Sequence, residues 1–385
     1  MVFEDDDEAF SPTLKTDQVS PCPHKISRPQ ETGHFLEAQF PVYMARLPGN
    51  RRVPLLKTVL TSFCERNCTY CAFRSGRDFP RQSFTPEEMA KVFLKFYQAN
   101  AVQGLFLSSG VAGGGIKTQD RLLATAEVLR VKMGYQGYLH LKIMPGAEQD
   151  QVRRAMQLAD RVSLNLEAPT TDRLRSIAPE KVMMDELLNP LRWVEEIRRQ
   201  EPQHLGWKGR WPSSTTQFVV GSAGENDLEL LRSSEYLFRN LGLTRVYYSK
   251  FQPVPGTPLE GHPSTNPWRQ ARLYQASYLM RDYGFSTKDL VLDEGNALPL
   301  ETDPKLAWAR LHLSPSPLEI NQAEFFDLLH VPGIGLINAR RIIAERVRNP
   351  LHCLEDLRRL GISAARAAPF ILINGLRAPQ QMSLW

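Results

Sequence analysis

The sequence has few cysteines, no long apolar run and no strong excess of either charge. No segment reaches the roughly 18 consecutive apolar residues of a membrane-spanning helix, so no span is predicted. The net charge of +5 over 385 residues permits an anionic partner without requiring one. The start of the chain, MVFEDDDEAF, is acidic where a secretory leader is basic and then apolar. We therefore expect a cytoplasmic protein.

The five cysteines do not suggest a disulfide framework, because their number is odd and three of them crowd into CERNCTYCAF. Cys64, Cys68 and Cys71 follow a C-x3-C-x2-C spacing, whereas Cys22 and Cys353 are remote in sequence. A structural zinc site takes four protein ligands, one more than this cluster offers. Three thiolates suit a [4Fe–4S] cluster in which one iron lacks a protein ligand. A zinc site or a chance grouping is the alternative.

Short apolar segments alternate with amphipathic helical patterns from about residue 52 onward. The segments that contain the six predicted strands are 53–63, 102–110, 138–146, 161–169, 215–227 and 245–256. Such alternation is typical of parallel β/α units. We expect an α/β fold, a partial (β/α)6 barrel, with its chemistry at the carboxyl ends of the strands.

Composition divides the chain into four predicted segments. Residues 1–48 are polar and rich in proline, which predicts an extended or disordered lead-in. The barrel core is expected over 49–296, and a proline-rich connector over 297–317. Residues 318–385 have a helical pattern with no clear strand, which predicts a small all-α domain.

The motif Cys64-x3-Cys68-x-Tyr70-Cys71, placed after a strand, resembles the signature of the radical S-adenosylmethionine (SAM) enzymes. The resemblance implies a [4Fe–4S] cluster bound by the three cysteines, with SAM bound to the fourth iron. In that superfamily, reductive cleavage of SAM gives methionine and a 5′-deoxyadenosyl radical, which abstracts hydrogen from the substrate. The aromatic residue before the last cysteine, Tyr70, is then expected near the adenine.

The resemblance also assigns SAM contacts at the next strand ends. The turn at 108–111, Ser-Ser-Gly-Val, stands where the family has a Gly-Gly-Glu-like turn that meets the methionine amino group. It keeps small residues but lacks the acid, and Ser109 and Gly110 are the expected contacts. At the end of the fourth strand, Asn165 and Glu167 are expected at the ribose or the methionine end. A solvated strand end is the alternative for these two.

Further expected contacts follow the last two strands of the predicted barrel. Gly221 and Glu225, in FVVGSAGEND, match the glycine and the acid of a motif that supports adenine in the family. The segment YYSKFQPVPG resembles the family's sixth-strand segment, whose backbone pairs with the adenine edge, and Phe251 is expected as the apolar wall of that segment. Lys142 lies at another strand end and is expected either to meet a carboxylate or to be solvated.

The segment 325–347, FFDLLHVPGIGLINARRIIAERV, predicts two helices joined by 331–335. It resembles a helix-hairpin-helix motif, whose two glycines, Gly333 and Gly335, allow a sharp turn. The motif presents backbone N–H groups at the start of the second helix, where a DNA phosphate binds.

This C-terminal segment also departs from the family pattern. Ile337 stands where Lys or Arg is common, and Arg340 and Arg341 are expected to substitute. A weaker second copy of the motif is predicted over 353–375. Residues 318–385 carry eight Lys and Arg against six Asp and Glu, a weakly basic balance. A protein-interaction or capping module is the alternative.

Three tryptophans lie within a basic stretch at 192–211. Trp193, Trp207 and Trp211 alternate there with arginines and a lysine. Aromatic rings beside cations can stack an exposed base. The favoured interpretation is a helix with a buried tryptophan, followed by a loop.

Over about residues 52–380 the chain resembles a subgroup of DNA modification/repair radical SAM proteins. The resemblance implies a radical enzyme that acts on DNA, with a low-potential electron donor such as flavodoxin or ferredoxin as a second partner. A tRNA or protein substrate is one alternative, and a non-enzymatic Fe–S protein that binds DNA or senses redox state is another. Neither the oligomeric state nor the reaction outcome is predicted.

No side chain is assigned as a catalytic base. Cys353 and Tyr247 or Tyr248 are candidates to return a hydrogen atom to the product, although Cys353 is more simply interpreted as a small buried residue. No second cysteine cluster is present in the sequence, which disfavours sulfur insertion by an auxiliary cluster.

Overall fold

The structure is a computed structural model that describes residues 42–47 and 51–377. Cys22 and most of the predicted N-terminal lead-in lie outside the described residues. The strands are β1 (Val42–Leu47), β2 (Arg51–Val59), β3 (Gly104–Ser108), β4 (Tyr138–Lys142), β5 (Arg161–Ser163), β6 (Ser213–Val220), β7 (Arg245–Lys250), β8 (Leu318–Glu319), β9 (Ile371–Ile373) and β10 (Leu376–Arg377).

Helices follow most of these strands. The α-helices are α1 (Pro86–Gln98), α2 (Gly115–Glu127), α3 (Gln149–Leu158), α4 (Thr171–Ile177), α5 (Asn189–Gln200), α6 (Asp227–Leu241), α7 (Pro267–Asp282), α8 (Pro304–His312), α9 (Phe325–His330), α10 (Leu336–Arg346), α11 (Leu354–Arg359) and α12 (Ala364–Ala367). Two π-helical segments, Val128–Lys132 and Met183–Leu188, adjoin α2 and α5. None of the helices in the described part of the chain is long and apolar enough to cross a membrane.

The larger sheet has seven strands in the order β1 to β7. Strands β2 to β6 pair in parallel, and β1 pairs with β2 in antiparallel register. The parallel β/α order confirms the predicted α/β class and partial barrel, whose six predicted strands correspond to β2–β7. Strand β1 lies inside the segment predicted as an extended or disordered lead-in.

The chain divides into two compact units. The first contains the described residues up to Leu166, together with Arg175–Thr216 and Val254–Gly261. The second contains Glu167–Leu174, Gln217–Pro253 and the residues from His262 onward.

In the first unit, one face of the parallel strands is apolar and fully buried. Side chains along a strand alternate between the two faces of the sheet. The apolar face includes Leu105, Leu107, Leu139 and Leu141, all at 0% exposure. Helix α1 begins as its sequence predicts: Thr85 accepts a hydrogen bond from the N–H of Glu88, whose carboxylate accepts from the N–H of Thr85.

The second unit has a separate apolar cluster near the end of the chain. Its buried residues include Leu328, Val331, Ile342 and Ile371, each at 0% exposure. The three-stranded sheet β10-β9-β8 lies in this region, so the prediction of an all-α C-terminal domain is wrong in that respect. Strands of two or three residues are too short to show a period of two in the sequence.

Helix α8 lies within the segment predicted as a proline-rich connector. The Asp303 side chain accepts a hydrogen bond from the N–H of Leu306 at 2.9 Å, and Pro304 occupies the first helical position. Both are sequence signals for a helix start. Trp308 of α8 packs against Phe285 and His330, with ring centroids 5.7 and 4.5 Å apart.

Lys305 of α8 is held close to the connector between α9 and α10. Its ammonium donates to the carbonyl of Ile334 at 2.5 Å and lies 4.9 Å from the centre of the Tyr283 ring. Burial of the ammonium lowers the pKa of Lys305 from 10.5 to about 7, and the nearby Arg366 also lowers it, whereas Asp303 opposes the shift.

This pKa predicts a pH-dependent contribution to stability. Between about pH 7 and 10.5 the unfolded chain keeps a proton on Lys305 that the folded chain has released, so folding becomes more favourable as pH rises. Denaturant titrations of the native protein and of Lys305→Met should give a difference in the free energy of unfolding that is flat below pH 7. Above pH 7 the free energy of unfolding of the native protein should rise relative to that of Lys305→Met. A difference that does not vary between pH 7 and 10 would contradict the low pKa.

Candidate functional site

The three clustered cysteines lie on the loop between β2 and α1, in the first unit. Cys68 is 6% exposed, and Cys64 and Cys71 are half-buried. The N–H of Cys71 donates to the carbonyl of Cys68 at 3.3 Å, and the N–H of Phe73 donates to the Cys71 sulfur at 3.4 Å. The three predicted ligands thus lie on one loop, which we call the cysteine loop (residues 62–81).

Arg81 organises the cysteine loop. Its guanidinium donates to the carbonyls of Ser62 at 2.8 Å, Phe73 at 3.0 Å, Arg74 at 2.7 Å and Arg77 at 3.2 Å. A loop without regular secondary structure leaves its carbonyls without ladder partners, and one guanidinium with five donors satisfies several of them. Nothing in the local sequence pattern indicates this role.

Two further arginines hold the same loop at other points. Arg77 donates to the carbonyls of Ala72 at 3.1 Å and Pro255 at 2.9 Å. Arg66 pairs with Glu186 at 2.5 Å, so the segment between the first two cysteines is anchored by an ion pair. These contacts fix the backbone beside the cysteines before any ligand binds.

Tyr70, predicted near an adenine, is half-buried on the cysteine loop. Its neighbour Thr69 donates to the carbonyl of Ile177 through both its N–H, at 2.8 Å, and its hydroxyl, at 3.1 Å. The N–H of Leu259 donates to the carbonyl of Thr69 at 3.4 Å. The backbone next to Tyr70 is thus fixed by hydrogen bonds to both Ile177 and Leu259.

The turn after β3, which contains Ser109 and Gly110, packs directly against the cysteine loop. The N–H of Gly110 donates to the carbonyl of Thr61 at 2.8 Å. A Cβ on Gly110 would lie 2.2 Å from the carbonyl oxygen of Phe63 and 3.2 Å from the Cβ of Cys64. Only glycine permits this approach.

The carboxylate of Glu65 contacts the glycines that follow this turn. The sequence of the turn alone does not indicate this contact. The two oxygens of Glu65 accept hydrogen bonds from the N–H of Gly113 at 3.0 Å and of Gly114 at 3.1 Å. Glu65 therefore holds the segment between the Ser-Ser-Gly-Val turn and α2. Its adjacency to the first cysteine is the only sequence signal.

Asn165 also lies at a strand end in the first unit. Lys142 donates to its side-chain oxygen. The two residues that were predicted separately, one from the fourth-strand motif and one as a lone lysine, are thus in contact.

The donor set fits an iron–sulfur cluster better than a single metal ion. Among the residues that the structure describes, no three His, Cys, Asp or Glu side chains converge on one metal position. A structural zinc site takes four protein ligands, whereas the three cysteines of this loop match a [4Fe–4S] cluster that takes each thiolate on a different iron. The hydroxyl of Ser109 is buried without a hydrogen-bond partner within the described chain, which fits a polar ligand such as SAM beside the cysteine loop.

In the second unit, Glu167 has an unusual backbone. Its φ of 66° lies in the left-handed region, and its side chain is 6% exposed. The strain is held by pairing with β6: the N–H of Glu167 donates to Gln217 at 2.9 Å, and its carbonyl accepts from Val219 at 2.8 Å. Strain of this kind, about 1–3 kcal/mol, persists where the surrounding structure enforces it and is frequent at functional sites.

Gly221 and Glu225, both predicted to support adenine, contact each other. The Glu225 carboxylate accepts from the N–H of Gly221 at 2.5 Å and of Ala223 at 3.1 Å. A Cβ on Gly221, whose φ is 86°, would lie 2.3 Å from the hydroxyl of Thr265. In this geometry Glu225 holds the loop, and Gly221 allows its close approach to Thr265.

Phe251 is buried at 2% exposure in the same unit. Its ring meets His262 edge-on at 5.4 Å, and the His262 Nε2 lies 2.8 Å from the carbonyl of Gly221. Sequence reasoning missed His262, because no local pattern distinguishes it.

Two helix–loop–helix hairpins lie near the end of the second unit. The first hairpin is α9 and α10 with the connector 331–335, and the second hairpin is α11 and α12 with the connector 360–363. A Cβ on Gly333 would lie 3.1 Å from the Ser363 carbonyl, and Arg341 donates to the Leu360 carbonyl at 3.1 Å. The two hairpins therefore pack against each other.

The four residues predicted to bind DNA have different surroundings in the first hairpin. Gly333, with φ of 86°, is used for close packing, and Gly335 precedes α10. Arg341 is exposed but engaged with the second hairpin, whereas Arg340 is exposed and lies 5.9 Å from the centre of the Phe325 ring.

Two minor predictions concern tryptophans in the first unit. Trp211 is 8% exposed and donates to the carbonyl of Glu201 at 3.2 Å. The ring of Trp207 is covered by the guanidinium of Arg130 at 3.9 Å. Both rings are used in packing. The favoured interpretation places the buried tryptophan on the helix, whereas Trp193 of α5 is half-buried and the buried Trp211 lies beyond the end of α5.

The candidate hydrogen-atom donors are in the second unit. Cys353 is exposed at the start of α11, so its interpretation as a small buried residue is wrong; its backbone N–H donates to Asp356 at 3.1 Å. Tyr248 is fully buried, and its hydroxyl lies 2.6 Å from that of Ser234. Burial raises the pKa of Tyr248 above its ordinary value.

Residues 58–235 match the radical SAM superfamily. The matched range contains the cysteine loop, the β3 turn and the loop from Gly221 to Glu225, and it ends before Phe251 and the hairpins. These residues form a radical SAM domain. Members of this superfamily are enzymes that use a [4Fe–4S] cluster and SAM as cofactors.

Comparison with curated proteins gives no match. Among solved structures, the chain is similar to methylornithine synthase (PylB), with 16% identity and a TM-score of 0.47 over 60% of this chain and 62% of that one. It is also similar to the FeFe-hydrogenase maturase HydG from Carboxydothermus hydrogenoformans, with 16% identity and a TM-score of 0.47 over 59% of this chain and 51% of that one.

A radical SAM methyltransferase from Sphaerobacter thermophilus is a third similar structure, with 17% identity and a TM-score of 0.44 over 61% of this chain and 69% of that one. The chain thus spans roughly half to two thirds of the length of these structures.

The cysteine loop predicts a clear difference between two cysteine variants. Cys71→Ser should reduce the iron content after anaerobic reconstitution from about four per chain to a small fraction, because the cluster loses one of three thiolates. Cys353→Ser is the matched control, since Cys353 is exposed and remote in sequence from the cysteine loop, and it should keep the iron. Iron and sulfide assays with the visible absorption spectrum measure both. Equal iron in the two variants would contradict the ligand assignment.

The β3 turn predicts a second effect. Gly110→Ala should lower the free energy of unfolding by about 1–3 kcal/mol, because the added methyl group collides with the carbonyl of Phe63. It should also reduce the cluster content by displacing the cysteine loop. Gly261→Ala is the control, since no atom lies within 4 Å of its added Cβ. If both variants unfold at the same denaturant concentration as the native protein, the turn does not support the loop.

Proposed function

We propose that this radical SAM domain acts on DNA, in a repair or modification reaction, and that the C-terminal hairpins dock the DNA. The observation that carries the proposal is the pair of hairpins packed against each other. Each connector has a glycine in the left-handed region, Gly333 with φ of 86° and Gly361 with φ of 78°. A paired hairpin of this kind offers backbone groups to phosphates without reading bases, which suits an enzyme that must engage many sequences.

The start of α10 is the best anion site in the first hairpin. The helix has no side-chain N-cap and no acidic residue in its first turn, so its first N–H groups keep their capacity to bind phosphate. By contrast, α9 and α11 start with acidic capping boxes at Asp327 and Asp356. Arg340 adds an exposed cation to the same helix.

The chemistry of the site comes from its cofactors together with the residues that hold them. When bound, the reduced cluster cleaves SAM to methionine and a 5′-deoxyadenosyl radical, which takes a hydrogen atom from the substrate. Cys64, Cys68 and Cys71 would hold three of the irons and leave the fourth for SAM. Ser109 and Asn165 would contact SAM from the strand ends. The electron requires a low-potential partner, and we propose a flavodoxin or a ferredoxin.

A base within a duplex is inaccessible to a radical formed inside a domain. The enzyme would therefore act on a flipped base or on single-stranded DNA. Hydrogen abstraction from either could begin a repair or a modification. A tRNA or a protein as the substrate is the main alternative, with the same cofactors and the same loop.

The proposal predicts that DNA, more than tRNA, both binds to the protein and stimulates SAM cleavage. Reconstituted enzyme with SAM and reductant under anaerobic conditions is assayed for 5′-deoxyadenosine with duplex DNA, single-stranded DNA or tRNA. Arg340→Glu should weaken DNA binding on the order of 10-fold at low salt, because it reverses a charge beside the expected phosphate site. SAM cleavage without DNA should be unchanged in this variant.

Arg358→Glu is the matched control, because Arg358 is an exposed arginine of the second hairpin that pairs with Glu355 at 2.8 Å. It should weaken DNA binding much less than Arg340→Glu. Equal losses in both variants would indicate a nonspecific charge effect and contradict docking through α10. Stimulation by tRNA alone would overturn the choice of DNA.

A further inference from the structure

The residues of strands β2–β6 that share one face of the sheet form a row across the first unit. The register aligns Lys57 with Phe106, Phe106 with His140, His140 with Arg161, and Arg161 with Ser213. We call these five residues the cationic row. Because side chains in a strand alternate between faces, this row lies opposite the buried leucines of β3 and β4.

The charged side chains of the five strands that form this face are all positive. The five strands have the sequences RRVPLLKTV, GLFLS, YLHLK, RVS and SSTTQFVV, which contain no Asp or Glu. Lys57 and Arg161 belong to the cationic row, and Lys142 lies on the same face one row closer to the strand ends. Lys57 on β2 and Arg161 on β5 are separated by two strands, and the Arg161 Nε donates to the Ser213 hydroxyl at 2.9 Å. Like charges on one face repel each other, and an anion on this face relieves the repulsion.

Lys57 is positioned at this face by aromatic rings. Its ammonium lies 5.5 Å from the ring centres of both Tyr43 and Phe106. The Phe106 ring in turn stacks on His140, with centroids 4.1 Å apart and planes 12° apart. The side chain of Lys57 is exposed, so the ammonium can be reached from solvent.

His140 contributes a neutral polar group between the cations. Burial lowers the pKa of His140 well below its ordinary value, and the charges of Arg161, Lys142 and Lys57 lower it further. Its Nε2 lies 2.7 Å from the hydroxyl of Ser163. The imidazole therefore adds no positive charge at neutral pH, and the positive charge stays on the flanking side chains.

An unsatisfied hydroxyl lies on the same face. Thr215 aligns with Ser163 in the next row and is at 0% exposure. Its Oγ1 has no hydrogen-bond partner within the described chain. A buried polar atom left without a partner is rare in native proteins and points to a ligand or a water molecule.

We propose that the cationic row binds a phosphate group of the substrate, with Lys57 as its main contact. The inference rests on the proposed function, since it specifies how a nucleic acid strand is held in the first unit, apart from the hairpins. A phosphate is favoured over other anions because the row presents an ammonium, a guanidinium and hydroxyl groups, which match its several acceptor oxygens. The cofactor contacts lie at the strand ends and do not use Lys57.

The test uses the reconstituted holoenzyme with SAM bound, and inorganic phosphate and a single-stranded oligonucleotide as probes. Lys57→Gln should weaken phosphate binding, measured by calorimetry, at least 5-fold, and should raise the half-saturating oligonucleotide concentration for 5′-deoxyadenosine formation by a similar factor. Lys91→Gln, at an exposed lysine of α1, is the matched control and should change neither value. Unchanged circular dichroism of Lys57→Gln verifies its fold.

The outcomes separate this inference from the proposed function. If phosphate binds and Lys57→Gln weakens that binding while no nucleic acid stimulates SAM cleavage, the phosphate site is supported. DNA is then not the molecule that brings the phosphate group to it. If the native protein and Lys57→Gln bind phosphate equally, or neither binds it, the inference is wrong even where DNA stimulates the reaction. If acetate competes with phosphate at equal concentration, the site takes carboxylates, and the assignment to phosphate is overturned.

Discussion

Four carbonyl oxygens in and beside the cysteine loop accept hydrogen bonds from a single guanidinium group, that of Arg81. Hydrogen bonds to a charged donor are stronger than those between neutral groups. They hold the backbone of the irregular segment that contains the three cysteines. The close approach of Gly110 and the anchor of Thr69 on Ile177 act on a backbone that Arg81 has already fixed.

Each unit of the chain uses a carboxylate to hold a glycine-containing turn. In the first unit, Glu65 accepts from the amides of Gly113 and Gly114. In the second, Glu225 accepts from Gly221 and Ala223. A carboxylate that receives two backbone N–H groups fixes a turn that has no side chains of its own to pack. The acids at these turns therefore support the backbone, because amide N–H groups occupy their carboxylates.

Much of the fold was predictable because its signals are local. The Thr85 cap, the Pro86 start and the alternating apolar strands are read from a few neighbouring residues. Asp303 and Pro304 are signals of the same kind, and they mark a helix in a segment that was interpreted as a connector. The strands β8 to β10 left no signal, since two or three residues cannot display a period.

The candidate-site residues differ in the same way, since some have local sequence signals and others do not. The cysteines and the Gly221–Glu225 pair were found from motifs of fewer than ten residues. The roles of Arg81, Glu65 and His262 depend on tertiary contacts: Glu65 meets amides 48 positions along the chain, and His262 meets a carbonyl 41 positions away. No pattern in one sequence encodes such distances.

In the proposed function, three cysteines hold a cluster whose fourth iron binds SAM. Mössbauer spectroscopy of the reconstituted protein, with and without SAM, tests it most directly. About one quarter of the iron signal should shift when SAM is added, because one of four irons gains amino and carboxylate ligands. An unchanged spectrum, or a shift of all four irons together, would contradict the account.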